Sequence, residues 1–225
     1  MSTPLAGRRI LVTQADDFMG PALCRVLAAQ GAEVVADARA LEEPAMAARV
    51  VAEAGEVDVL LAHLAVSAPT TPVGSVDDDE WRRLFAHMVD PLPRLARAVL
   101  PQMQARRRGK ILVMGSASAL RGIRRASSYS AARGAQLAWV RAAGVELAPQ
   151  GIQVNAIAQN FVDNPTYFPP EVQADPRFVE RLRREVPLGR LVGADEDAQF
   201  AAYLCGAAAD CFVGQVFPVS GGWVA

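Results

Sequence analysis

The chain has 225 residues, a length that suits one α/β domain with a single core better than two small domains. Apolar residues make up 52% and charged residues 21%, both ordinary for a globular protein, and 23 Lys and Arg against 24 Asp and Glu leave a formal net charge of −1. No field of either sign is available to gather nucleic acid or an anionic membrane, and neither is expected as a partner.

The opening MSTPLAGRRILVT has no apolar signal core, and no apolar run approaches the roughly 20 residues that cross a bilayer, so a cytoplasmic protein is expected. RRILVT (8–13) is a short apolar run of the kind that is buried on both faces of a sheet. A helix is predicted from Gly20 to Gln30, stopped by Gly31. AEVVAD (32–37) reads as a second strand, a weaker helix covers about 44–54, and VDVLLAHL (57–64) is a third strand. A long helical region runs from DDDEWRRLF to QMQARRR, bent or broken near Pro91 and Pro93. Its RRR run at 106–108 reads as a solvated helix end, where cations suit the helix dipole. KILVMGS (110–116) is a fourth strand, a helix follows over 127–149, and IQVNAIA (152–158) is a fifth strand. A Pro-rich loop spans about 159–176, helices cover about 178–186 and 195–207, and GQVFPVSGGW supplies a last strand. Cys24, Cys205 and Cys211 form no C-x-x-C pair and each sits among apolar residues, which predicts buried free thiols in a reducing compartment; no metal is expected.

Strands alternating with helices predict a parallel sheet covered on both faces, and right-handed crossovers make it a doubly wound, Rossmann-like α/β fold, a single domain over 1–225. Ligands bind such folds at the carboxyl ends of the strands, here near Thr13, Asp37, His63, Ser116 and Ala158. Ser116 is the chemically capable one. Tyr129 follows it by thirteen residues, early in the next helix, and Arg133 stands four residues further on, on the same helix face. A hydroxyl, a phenol and a fixed cation can therefore converge on one cleft. A phenol of pKa near 10 is a poor base at neutral pH. A nearby cation favours phenolate, and Arg supplies that charge without losing its own proton.

In this order the pieces ILVT, VDVLLAHLA, GKILVMGSAS, YSAARGA, GIQVNAIA and GQVFPVSGGW resemble the short-chain dehydrogenase/reductase superfamily over nearly the whole chain. The resemblance implies catalytic roles for Ser116 and Tyr129. The superfamily's Lys, which also binds the nicotinamide ribose, is Arg133 here. Other features depart from the pattern. The cofactor turn T-G-x-x-x-G-x-G is replaced by TQADDFMG (13–20): Gln14 and Phe18 hold the first two glycine positions, and Asp16 and Asp17 put negative charge where phosphates would sit. Those carboxylates are expected to cap the following helix themselves. The Asn-Asn-Ala-Gly after the third strand is replaced by AHLA (62–65), the Asn of the long helix falls at Met88, and the Pro-Gly after the fifth strand is replaced by AQNFVDNPTYF.

Together these departures resemble the halohydrin dehalogenases, members of the superfamily that use a Ser–Tyr–Arg triad and have turned the nicotinamide site into a halide pocket. The resemblance implies a cofactor-independent enzyme that converts vicinal haloalcohols to epoxides and reopens epoxides with halide or small anions such as azide, cyanide or nitrite. Its catalytic residues would be Ser116, Tyr129 and Arg133, and its halide pocket Phe18, Gln159, Asn160, Phe161 and Val162, with the backbone N–H groups of Phe161 and Val162 as donors. Ser118, Tyr167 and Phe168 would line the substrate side. Leu64 falls where some members carry an acidic residue, and His63 beside it reads as structural. A homotetramer is expected from the family and from AQLAWVRAAGVELA (135–148), whose apolar surface, including Trp139, exceeds what one sheet face buries. An NAD(P)-dependent short-chain oxidoreductase and a catalytically silent binding protein of the same fold stay open as alternatives.

Overall fold

The computed structural model describes residues 4–224. Six strands form one sheet: β1 (Arg9–Thr13), β2 (Glu33–Asp37), β3 (Val59–His63), β4 (Gly109–Ser116), β5 (Ile152–Gln159) and β6 (Val216–Val219), in the order β2-β1-β3-β4-β5-β6. Every neighbouring pair is parallel. The helices are α1 (Gly20–Ala29), α2 (Met46–Ala54), α3 (Asp78–Met88), α4 (Pro91–Arg106), α5 (Ser127–Leu147), α6 (Pro170–Gln173), α7 (Pro176–Glu185) and α8 (Ala194–Cys205).

Alternation along the strands divides the core. Leu11, Leu60, Ile111 and Val113 pack with α2, α4 and α5 on one face. Ile10, Val12, Leu61 and Leu112 pack with α1 and α8 on the other. Both faces are covered, which is why the strands read as nearly continuous apolar runs.

The long helical region is two helices. Pro91 opens α4, where its missing N–H would have had no acceptor, and Val89–Asp90 make the joint. The Arg run at its end is not simply solvated. Arg106 donates to the Val57 carbonyl at 2.8 Å, Arg107 to the Pro149 carbonyl at 2.8 Å, and Arg108 to Asp58 at 3.1 Å, so the run stitches the lower edge of the sheet. The 159–176 loop contains the short α6. The cysteines also differ from expectation: Cys205 is buried, Cys24 half-buried and Cys211 exposed, because Cys211 lies in the turn before β6 and not in an element. Trp139 packs partly against the core, so α5 presents less free apolar surface than its sequence suggests, although Val145 is 71% exposed. No helix among the described residues is long and apolar enough to cross a membrane.

The close approach of α5 to the β5–β6 region depends on Gly144. A Cβ there would meet Gly214 Cα at 2.5 Å and the Val154 carbonyl oxygen at 3.0 Å, both backbone atoms that cannot swing aside. Gly144→Ala is expected to cost about 1–3 kcal/mol by overpacking. Thermal unfolding should show a fall of about 2–4 °C per kcal/mol in a chain of this size.

Candidate active site

The register of β4 with β5 sets Ser116 beside Gln159 at the carboxyl edge of the sheet. Beyond Ser116 a short 3-10 turn (Ala117–Ala119) and an exposed loop lead into α5, whose first turn carries Tyr129. That turn is anchored by a residue the sequence did not single out. Glu80 on α3 accepts hydrogen bonds from Ser128 Oγ at 2.5 Å and Thr71 Oγ1 at 2.6 Å.

One turn further along α5, the Arg133 guanidinium is buried. Its Nε donates to Tyr129 Oη at 3.1 Å. Its Nη1 donates to the carbonyls of Leu64 (2.9 Å) and Met114 (3.1 Å) and to Gln136 Oε1 (3.0 Å). Gln136 is held in turn by the Met88 carbonyl at 2.6 Å. Burial acts to raise the Tyr129 pKa. The Arg133 charge and its hydrogen bond, with the nearby hydroxyls of Tyr167 and Ser116, outweigh burial and leave the phenol below its ordinary value.

The β1–α1 turn faces this group. Gln14 (φ 49°) and Phe18 (φ 47°) both adopt the left-handed backbone that glycine prefers. Two interactions hold them there. The Gln14 carboxamide pairs with both backbone groups of Ala65 (2.8 and 2.7 Å), and Asp17 Oδ1 accepts from the Phe18 N–H at 2.7 Å. The carboxylate thus closes the turn and does not cap α1, whose N-cap residue Met19 makes no side-chain cap. The Phe18 ring meets His63 edge-on at 6.2 Å and Tyr167 at 5.6 Å. His63 Nδ1 contacts the Gln14 carbonyl at 3.1 Å; burial pushes its pKa down to about 4, so the ring is neutral at pH 7. Tyr167 Oη donates to the Val66 carbonyl at 3.1 Å and accepts from the Ala68 N–H at 3.0 Å, tying the loop after β5 to the segment after β3.

These groups enclose a cleft of about 730 Å³, within the range that holds a drug-sized ligand. Ser116, Tyr129, Arg133, Phe18, Gln159, Asn160, Phe161, Val162, Tyr167 and Phe168 all line it. Three expectations need correction. Ser118 does not line the cleft; it is buried behind Ser116, 2.9 Å from its Oγ. The Phe161 N–H donates to Asn160 Oδ1 at 2.9 Å, because Phe161 is itself left-handed (φ 51°) and its amide turns back on the preceding side chain. The Gln159 carboxamide turns to Asp197 on α8, 2.5 Å from Oδ2. Arg121, Arg124, Arg181 and Trp223 also line the cleft, and no motif marked them, since they come from separate segments.

The family described as enoyl-(acyl carrier protein) reductase matches residues 6–224. The chain belongs to the short-chain dehydrogenase/reductase superfamily. It is 33% identical, over the full length of both chains, to the cis-4-hydroxycyclohexanecarboxylate dehydrogenase of Sinomonas cyclohexanicum. Among solved structures it resembles a dehalogenation enzyme (TM-score 0.92, 32% identity, 98% of this chain and 100% of that one). It also resembles a halohydrin dehalogenase bound to ethyl (2S)-oxiran-2-ylacetate (TM-score 0.89, 26% identity, 96% and 97% of the two chains).

The superfamily's dehydrogenases use a nicotinamide dinucleotide, and the residues here do not fit one. Side chains of Gln14 and Phe18 stand where the backbone must approach a pyrophosphate. Asp16 and Asp17 flank the same turn with like charge. At the end of β2, where an acidic residue would take the ribose hydroxyls, Asp37 is already engaged by the Arg39 guanidinium, 2.8 Å from its Nε.

Asp197 lies fully buried behind the cleft wall, and its Oδ1 has no partner among the described residues. Burial pushes its carboxyl up to about 7, against the lowering effect of the Gln159 hydrogen bond. A raised carboxyl contributes stability fully below its ordinary value near 3.8 and loses it as pH rises to about 7. The Tm difference between Asp197→Asn and wild type should therefore move in the variant's favour between pH 5 and pH 8. A difference independent of pH would contradict this assignment.

Proposed function

We propose that the protein is a halohydrin dehalogenase that works without a nicotinamide cofactor. The observation that carries the reading is the β1–α1 turn, where Gln14 and Phe18 stand in glycine conformations and the Phe18 ring lines the same cleft as Tyr129. A Ser–Tyr–Arg group facing such a wall suits chemistry that needs a base and an anion pocket and no hydride.

In this mechanism Tyr129, as phenolate, takes the hydroxyl proton of a vicinal haloalcohol while Ser116 hydrogen-bonds the same oxygen. The oxygen's electron pair forms the new C–O bond, the carbon–halogen bond breaks, and halide leaves with its electrons. Nothing is oxidised or reduced. Arg133 keeps the phenolate accessible near neutral pH, and the positive ring edges of Phe18 and Phe161 face the leaving halide. The Val162 N–H and the Asn160 Nδ2 make no hydrogen bond among the described residues, so they are the donors left for the anion. The reverse reaction opens an epoxide with a small anion.

Purified protein mixed with a simple chlorohydrin or bromohydrin should release halide and acid together. Tyr129→Phe should lower that rate by about 10²–10⁴-fold or more. The dehydrogenase name of the curated relative favours a second reading, an NAD(P)-dependent oxidoreductase. Calorimetric titration with NADPH separates the two: saturable micromolar binding to wild type would overturn the dehalogenase reading.

Arg133→Lys should slow dehalogenation and move the low-pH limb of the pH–rate profile, which reports the Tyr129 base, to higher pH. A buried Lys holds its charge less firmly and stabilises the phenolate less. An unmoved limb would remove the electrostatic role assigned to Arg133.

A further inference from the structure

The cleft is larger and more positive than a small haloalcohol requires. Its lining also includes the apolar Ile123, Val172, Phe178 and Trp223 and the exposed Arg121, Arg124 and Arg181. The guanidiniums next to Arg124 are occupied. Arg121 donates to the Trp223 carbonyl at 2.7 Å and lies over the Trp223 ring at 4.7 Å. Arg125 reaches the Thr70 carbonyl at 3.4 Å, and Arg181 pairs with Glu185 at 3.1 Å. Glu185, the one carboxylate lining the cleft among the described residues, is also held by Arg184 at 2.9 Å. Arg124 lines the cleft and has no hydrogen-bond or ion-pair partner among the described residues.

We propose that Arg124 determines specificity by binding a carboxylate at the far end of the substrate, so that the preferred substrates are haloalcohols or epoxides carrying an anionic tail on an apolar chain. The inference rests on the dehalogenase reading and deepens it. Ser116 and Tyr129 hold the oxygen at one end. The apolar part of the lining takes the chain. An Arg fork, matched to a carboxylate, is the free partner at the other end. Arg124 is open to solvent, so the attraction is screened by salt and acts on binding more than on turnover.

The test compares medium-chain terminal bromohydrins that end in a carboxylate with their methyl esters. Wild type should favour the acid by about tenfold in kcat/KM, equivalent to 1.4 kcal/mol, through KM and not kcat. The preference should shrink as salt is raised. Arg124→Gln should bring the acid-to-ester ratio close to one, and Arg124→Glu should invert it. Acid and ester turned over equally by wild type, or a ratio that survives both substitutions, overturns the role of Arg124 and leaves the dehalogenase reading standing. Halide released from neither compound overturns both.

Discussion

A buried guanidinium without a carboxylate is the constraint around which the site is built. Arg133 is 4% exposed, and its partners are two carbonyls, a carboxamide and a phenol oxygen. Dipoles satisfy its Nε and Nη1 groups but do not cancel its charge, and an uncompensated buried cation is costly. In the proposed mechanism that charge is balanced by negative charge that comes and goes: phenolate on Tyr129, an alkoxide beside Ser116, an anion in the cleft. Much of the surrounding architecture serves to hold this cation. The ends of β3 and β4 present their carbonyls to it, Gln136 bridges it to α3, and Glu80 secures the turn of α5 from which Tyr129 reaches it.

The fold was legible because its determinants are local. Apolar runs bounded by polar segments marked the strands, and each observed strand lies within or close to its predicted run. The Ser–Tyr–Arg spacing was legible for the same reason, since a strand end and the next helix leave little freedom in where the three can go. What sequence could not show is how side chains far apart in the chain share partners. Gln14 with Ala65, Gln159 with Asp197, and Arg106–Arg108 with the lower strand ends are all choices of partner across the sheet. No period or motif encodes them. Ser118 shows the same limit at short range: two residues from Ser116, on a 3-10 turn, it packs behind the cleft wall.

The loop after β5 joins otherwise separate parts of the cleft. Thr166 donates to Asp17 at 3.1 Å and Tyr167 reaches Val66 and Ala68, so the β1–α1 turn, the segment after β3 and the aromatic loop form one connected wall. The Phe161 ring continues it to Phe168 and Trp223, at centroid distances of 6.2 and 6.0 Å. A change in any of these segments is therefore felt by the others.

The left-handed conformations of Gln14 and Phe18 bear on what this turn tolerates. Its main chain keeps a shape that glycine adopts freely and that other residues adopt only under strain. Larger side chains stand here on a glycine-shaped trace. Loosening it would take several coordinated substitutions, because glycine at Phe18 alone would relax the strain while Gln14 still bridged to Ala65. The turn is locked by two sets of hydrogen bonds at once, so no single substitution frees it.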